Sequence, residues 1–390
     1  MGRCVRMSLM RNDIRELPDQ PQCPQLLTLS LAYNKFQQIP DGFFEDMKGL
    51  VTLDLSNCQR LSSLPRSLSG LKNLRTLNLN NCRLEDASLI GNLTKLEVLN
   101  LESTRLKLLP QEIGELTNLK FLNLLRSRYA VITPNVISKL SSLEELRMNF
   151  NKRFAEVASL SNLTTLHLNL YSDYELQWLS TDIGPCQWEK LTKFRIYLGS
   201  VGYQYTSAYS RSLSLTTTRE VKHEPVGDWV RVLLESADQL RLYDCKGLEN
   251  PVLQLNVLGF NNLRYLVLIY CIEIEYLISM EEHDSQPVFA KLEILKLTQM
   301  FGLKAIYNGG VKKVFNSASL EGETITEIST SISNSYLFQP QRALYRRLLD
   351  KVPLPYENSW RSPANRRDLL IGVPIYASAN YREPRRWTRN

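Results

Sequence analysis

The motif Leu-x-x-Leu-x-Leu recurs through most of this 390-residue chain, and no other feature constrains its fold as tightly. Leu26, Leu29 and Leu31 form one unit and Leu50, Leu53 and Leu55 the next. Leu74, Leu77 and Leu79 follow, then Leu96, Leu99 and Leu101, then Leu119, Leu122 and Leu124. Leu143, Leu146 and Met148 come next, then Leu163, Leu166 and Leu168. Their first leucines are 24, 24, 22, 23, 24 and 20 residues apart. Chance does not keep six successive intervals so close. Beyond residue 170 the pattern loosens. Leu191, Phe194 and Ile196 fit at a longer spacing, and Leu213 with Leu215 fit poorly. Leu240 and Leu242, then Leu263, Leu266 and Leu268, then Leu292, Leu295 and Leu297, recover it. Val5, Met7 and Leu9 supply a partial first unit.

A period of 20–29 residues with this core is that of leucine-rich repeats. In each unit the x-Leu-x-Leu-x stretch is a short strand with leucines pointing inward and the x residues outward. One unit cannot bury its leucines alone, so neighbours must stack. The expected fold is α/β: a leucine-rich-repeat solenoid of about thirteen repeats over residues 1–310. It is a curved horseshoe with a parallel β-sheet on the concave face and an irregular, short-helical convex face. Asn12, Asn34, Cys58, Cys82, Cys245 and Cys271 fall at the turn after the strand. Asn there hydrogen-bonds buried backbone groups along the stack, and Cys is a small, buryable substitute. These cysteines are therefore structural, leaving Cys4, Cys23 and Cys186 unassigned. Leu17-Pro18, Ile39-Pro40, Leu64-Pro65 and Leu109-Pro110 mark extended convex segments, because proline disfavours helix in the residue before it.

The net charge of +7 belongs to the tail. Residues 340–390 carry eleven Lys or Arg against four Asp or Glu, which leaves 36 of each sign in the rest. Residues 311–390 are accordingly read as a Ser/Thr-rich linker followed by a basic, Pro/Arg-rich tail. Scattered among prolines, its arginines form no stacking or groove-reading motif, so no nucleic-acid partner is expected. No apolar run approaches the length of a membrane span, and the N-terminus has no signal-peptide core. An odd cysteine count without a C-x-x-C pair fits a reducing compartment, hence a cytoplasmic location.

Catalytic constellations are nearly absent. His223-Glu224-Pro225 lacks the second histidine of a zinc helix, and Gly199-Ser200-Val201-Gly202 is not a hydrolase elbow but reads as a flexible loop. The acidic cluster from Glu273 to Asp284 lacks the alternation of a calcium loop. The sequons at Asn92 and Asn162 are by-products of the repeat leader, and Gly2 lacks the myristoylation context. The chain is read as a non-enzyme with no cofactor.

The stretch LKGLVTLDLSNCQRLSSLP resembles the repeat of plant intracellular disease-resistance proteins of the coiled-coil, nucleotide-binding, leucine-rich-repeat type. RMSLMRNDIRELP, CPQLLTLSLAYN and FFEDMKGLVTLDLS resemble the start of that repeat domain. FNNLRYLVLIYCIEIEYLIS and VFAKLEILKLTQMFGLKAIYNGG resemble its distal repeats. That family carries an upstream nucleotide-binding module, whereas this chain has no G-x-x-x-x-G-K-[ST] loop. Met1 lies just before the first repeat strand, which has no polar cap, so a fragment, a truncated paralogue or a late-starting reading frame is expected. The resemblance implies a protein-recognition module that senses a pathogen effector or an effector-modified host protein and restrains the nucleotide switch. A free-standing cytosolic scaffold or adaptor using the same face is the alternative.

The column between the two strand leucines reads Ser30, Asp54, Asn78, Asn100, Asn123, Arg147, His167, Arg195, Ser214, Arg241, Val267, Lys296. It is neutral to acidic at first and cationic later. Adjacent columns add Tyr197, Tyr243, Ile269 and Tyr265. Arg and Tyr are enriched at protein-interface hot spots. Arg147, His167, Arg195, Tyr197, Arg241, Tyr243, Tyr265 and Lys296 are therefore the candidate partner-binding residues. By the resemblance, Asp54, Asn78 and Asn100 face the nucleotide-binding module, in cis or in trans.

Overall fold

The computed structural model describes residues 3–127, 131–149, 154–170, 187–199, 209–216, 228–248, 255, 260–279, 289–308 and 327–329. All of these lie in a single unit, Met1–Tyr336. The inward leucines do what their spacing demands. Leu29, Leu53, Leu77, Leu99, Leu122, Leu146 and Leu166 pair side by side in the sheet register and are almost wholly shielded from water. One continuous apolar core runs from Cys23 to Leu297. Each buried leucine contributes roughly 1.5–3 kcal/mol relative to exposure, shared between neighbouring repeats.

The strands before the middle of the chain are short: β1 (Arg6–Ser8), β2 (Thr28–Ser30), β3 (Thr52–Asp54), β4 (Thr76–Asn78), β5 (Val98–Asn100), β6 (Leu108–Leu109), β7 (Phe121–Asn123) and β8 (Val131–Ile132). Longer strands follow: β9 (Glu145–Asn149), β10 (Thr165–Leu170), β11 (Lys193–Leu198), β12 (Arg211–Thr216), β13 (Gln239–Tyr243) and β14 (Tyr265–Ile269). The last are β15 (Tyr276–Ser279), β16 (Ile294–Thr298), β17 (Ala305–Asn308) and β18 (Glu327–Ser329). Among the described residues they form one fourteen-stranded parallel sheet in sequence order, with β6–β8 and β15–β17 as separate two-stranded ladders. β18 pairs with β16 and lies inside the stretch read from sequence as a linker. It carries Ile328 without the leucine triplet, so the leucine template passes over it.

On the return path, Pro65 and Pro110 are extended and each is followed by a 3-10 turn, at Arg66–Gly70 and Gln111–Glu115. Helical segments α1 (Val136–Lys139), α2 (Phe154–Ala158) and α3 (Asp228–Ser236) occupy this position later.

The turn after each strand repeats its geometry. Arg11, Tyr33, Asn57, Asn81, Ser103, Arg126, Asp244 and Tyr270 all adopt positive φ. From Tyr33 to Asp244 each precedes a residue whose side chain bonds along the stack, whereas Asn12, after Arg11, is exposed and donates to the Met10 carbonyl of its own turn, which corrects its reading as a stack-facing asparagine. Asn34 Nδ2 donates to the Leu9 and Leu31 carbonyls at 2.8 and 2.9 Å, while its Oδ1 accepts from the Asn12 and Ile14 amides. The Cys58 and Cys82 thiols donate to the Leu31 and Leu55 carbonyls at 3.3 and 3.1 Å. Burial pushes these thiols up, to about 11 and about 12. Thr104 and Ser127 continue the ladder, both reaching the Leu101 carbonyl. These two hydroxyls belong with the asparagine and the cysteines, although the sequence template had not singled them out.

The register departs from the sequence reading at one place. Arg195 pairs with Ser212, and Ser214 pairs with Tyr197. The outward column is therefore not continuous from Arg195 to Ser214. His167 and Arg195 lead into Ser212 and Gln239, whereas Asn169 and Tyr197 lead into Ser214, Arg241, Val267 and Lys296. β11 offers three inward residues, Phe194, Ile196 and Leu198, all buried. A slip of two residues keeps every side chain on its own face, so hydrophobic patterning cannot forbid it. Gly199 follows at φ +93°, where a Cβ would lie 1.9 Å from the Thr216 carbonyl oxygen. Gly199 is a bend just past β11 and a place of close strand approach, while the rest of the stretch read as a loop, residues 200–202, lies outside the described residues.

Candidate functional site

Arg147, His167 and Arg195 stand side by side on β9, β10 and β11, as paired register positions. The imidazole sits between two guanidiniums. Burial, then Arg147 and Arg195, press its pKa from 6.5 down to about 4, against a hydrogen bond with Asn169 that raises it. His167 is therefore neutral near pH 7. Its Nε2 is buried, with no hydrogen-bond partner among the described residues. The same holds for both amide atoms of Asn149, on the next column. Arg147 is oriented from below and beside: its guanidinium lies 5.2 Å from the centroid of Phe121, and its Nε is 2.6 Å from Glu145 Oε1. Phe121, one strand earlier, was not among the candidates because an aromatic at an outward position reads as ordinary β-propensity.

The second half of the surface is built on aromatic rings. The Tyr197 ring packs 5.8 Å from His167, and the residue is only 7% exposed. Burial raises its phenol, against the opposing charges of Arg195 and Arg241. Arg241 lies 5.9 Å from the centroid of Tyr265, which stacks on Tyr209 at 5.5 Å. Tyr243 meets Tyr270 edge-on at 5.9 Å. Tyr209 and Tyr270 lie outside the strands, which is why the column reading omitted them. Lys296 lies beside Val267 in the register.

The sheet between these residues is not an evenly solvated face. Ser212, Ser214, Thr216 and Gln239 are buried, as is Val267. Small side chains on β12 lie below the level of their larger neighbours on β11 and β13. Arg211, at the start of β12, is held by Asp238 through two hydrogen bonds, 2.6 and 3.1 Å, a fork that holds its charge locally.

Asp54, Asn78 and Asn100 sit on β3, β4 and β5 as expected, and each has a local task. Asp54 Oδ1 accepts from the Ser56 amide at 3.0 Å, Asn78 Oδ1 from Asn80 at 3.2 Å and Asn100 Oδ1 from Glu102 at 3.0 Å. Asn123 does the same for Leu125. These are Asx turns, in which a short side chain takes over a backbone amide two residues on.

Among the described residues, no group of three or more His, Cys, Asp or Glu is placed to hold a metal ion. No helix among them is long and apolar enough to cross a membrane.

Residues 49–320 match the family model described as a leucine-rich repeat region. The chain is 39% identical over 104 residues to the disease resistance protein UNI of Arabidopsis thaliana, covering 26% of this chain and 12% of that protein. It is 28% identical over 319 residues to the disease resistance protein RPS5 of the same plant, covering 77% of this chain and 34% of that protein. The chain thus spans no more than about a third of these relatives. Among solved structures, an internalin C2 from Listeria monocytogenes aligns with a TM-score of 0.39 at 20% identity, covering 49% of this chain and 80% of its own. The ectodomain of the plant receptor kinase GASSHO1/SCHENGEN3 aligns with a TM-score of 0.37 at 16% identity, covering 71% of this chain and 39% of its own.

Proposed function

Because the chain belongs to the leucine-rich repeat region family, we propose that its concave sheet is the protein-recognition surface of a plant disease-resistance receptor. The partner is a pathogen effector or a host protein that an effector has modified, met in the cytoplasm. The surface is preformed by the register, so binding can bias a neighbouring switch without first folding the reader. The switch is a nucleotide-binding module, engaged in cis or in trans by the proximal strands around Asp54, Asn78 and Asn100. No cofactor is assigned to these residues themselves.

The observation that carries this reading is the grouping of Arg147, His167 and Arg195 on three adjacent strands, continued by Tyr197, Arg241 and Tyr265. Cations and aromatic rings on a rigid sheet are the residue types that dominate interface energetics. The similarity to UNI and RPS5 supports the disease-resistance context. The test is proximity labelling in leaf tissue with the full chain and with its Arg195→Glu, Arg241→Glu double variant. Proteins labelled by the wild type should disappear from the variant's set. Identical sets would sink the reading.

A further inference from the structure

The turns that leave the sheet form a rim of side chains beside the concave face and outside its outward columns. Tyr243, Ile269 and Thr298 are paired in the register of β13, β14 and β16. The residues that follow them, Asp244, Tyr270 and Gln299, all adopt positive φ and carry that order onto the rim. Two residues further along, Ile272 and Phe301 belong to turns in close contact. A Cβ on Gly302 would lie 1.9 Å from the Ile272 carbonyl oxygen, so glycine is what lets the two turns meet. Tyr270, Ile272 and Phe301 are exposed by 40, 48 and 66%, and Phe301 is the most exposed large apolar side chain among the described residues. Asn57 and Asn81 fill the equivalent turn position after β3 and β4 at little steric cost, whereas a tyrosine there is uncommon. The distal rim thus presents a ring and two apolar side chains on a closely packed pair of turns.

The first turns of the molecule show what such a tyrosine can hold. Arg11 and Tyr33 occupy this same position after β1 and β2, and the Arg11 guanidinium lies 4.5 Å from the centroid of the Tyr33 ring. After β14 the tyrosine is again present, at Tyr270, but its neighbours in the row are Asp244 and Gln299, with Tyr243 against its edge. A carboxylate stands where the first turns carry the arginine. Glu273 is close by, its carboxylate accepting the Gly247 amide, and Lys304 is tied to Glu275 at 2.7 Å. Counting Lys246, the rim sets three carboxylates against two lysines, a negative balance around an apolar centre. We propose that this rim takes a short segment of a partner protein in which an arginine stands beside bulky apolar residues. The guanidinium stacks on Tyr270 and forks to the Asp244 carboxylate, while the apolar side chains pack on Ile272 and Phe301. Arginine suits the place better than lysine, because a planar guanidinium stacks on a ring while its edge hydrogen-bonds a carboxylate. The site lies off the concave columns, so it goes beyond the concave reading and does not depend on it.

The experiment uses the full chain and fluorescein-labelled peptides with an Arg-Leu-Phe core between Gly-Ser flanks, with binding read by anisotropy. Replacing the peptide's arginine by glutamine should weaken binding about tenfold, and by lysine about threefold. Replacing its Leu-Phe by Ser-Ser should abolish binding. On the protein, Tyr270→Asn and Asp244→Asn keep a residue that accepts positive φ, so the turn is retained. Each should weaken the arginine peptide about fivefold and leave the glutamine peptide unchanged. Phe301→Ser should weaken both peptides about tenfold, while Leu108→Ser, at an equally exposed leucine on β6, changes neither. Equal binding of the arginine and glutamine peptides, or a Tyr270→Asn effect of the same size on both, would overturn the proposal. Two further measurements test the occupant. A wild-type dimer in sedimentation velocity that Phe301→Ser dissolves would give the rim to a second copy of the chain. Peptide binding more than about threefold tighter in the full chain carrying Arg386→Gln and Trp387→Ala would give it to the chain's own tail. Either result overturns a partner protein as the occupant; a monomer with unchanged binding supports it.

Discussion

The proximal strands β2 to β7 and the distal strands β9 to β16 share one sheet and one leucine core, yet the main-sheet strands differ in length by about a factor of two. In β3, β4, β5 and β7 a single outward position goes with the short length, whereas β2 is as short with Ser30 there. In the proximal repeats it holds Asp54, Asn78, Asn100 or Asn123, whose side chain takes the amide two residues on and ends the strand in an Asx turn. In the distal repeats the same leucine frame presents Arg147, His167 or Arg195 there. These side chains make no such turn, so the backbone stays extended to Asn149, Leu170 and Leu198. The longer strands add a third outward column, in or beside which Tyr197, Tyr243 and Ile269 stand, with Asn169, Tyr197, Ser214 and Val267 of it buried. The proximal half spends these side chains on its own backbone; the distal half holds cations there, above a layer of buried polar residues at Asn169, Ser212, Ser214, Thr216 and Gln239.

Breaking the proximal half should be most damaging at Asn34. Its side chain serves two carbonyls and two amides across two repeats. Asn34→Ala leaves the Leu31 carbonyl only its Cys58 thiol and strips the part-buried Leu9, Asn12 and Ile14 groups of this side chain, at an expected cost of about 4 kcal/mol. Urea unfolding should show it, and hydrogen exchange should place the loss at the Asn12 and Ile14 amides. A change below about 1 kcal/mol would mean that the ladder is not what joins the first repeats.

The distal half should be sensitive to mild acid through His167. His167 has a folded pKa of about 4 against an ordinary 6.5. Between those values the unfolded chain binds a proton that the native site rejects, so stability is intact above pH 6.5 and falls as the pH drops toward 4. The loss is about 3 kcal/mol over that window. Urea midpoints at pH 7 and pH 4.5 should converge in His167→Gln, and an unchanged pH profile in that variant would contradict the assignment.

A smaller effect sharpens the account of strand length. Asn100→Ala should cost about 1 kcal/mol and accelerate exchange of the Glu102 amide specifically. If that amide stays protected, the Asx turn is not what ends β5. The smallest effect is expected at Arg147→Ala, about 0.5–1 kcal/mol from its half-exposed contacts with Phe121 and Glu145. A double-mutant cycle with Phe121→Leu isolates the ring's share.

Much of this was legible in the chain itself. The leucine interval determined a parallel solenoid, and the turn position after each strand identified Asn34, Cys58, Cys82, Cys245 and Cys271 as stack-facing. Proline determined where the return path runs extended. Thr104 and Ser127 escaped because hydroxyls recur at too many other positions to mark a ladder. β18 escaped because a short strand needs no leucine triplet once an existing edge, β16, offers it backbone partners. The candidate surface was legible only as residue types. Which of them stand together depended on the slip between β11 and β12, and a period-two pattern is blind to a two-residue shift because the same faces remain buried. Burial of Tyr197 and neutrality of His167 are likewise properties of neighbours contributed by other repeats. Local sequence decides which way a side chain points; only the assembled sheet decides what it meets there.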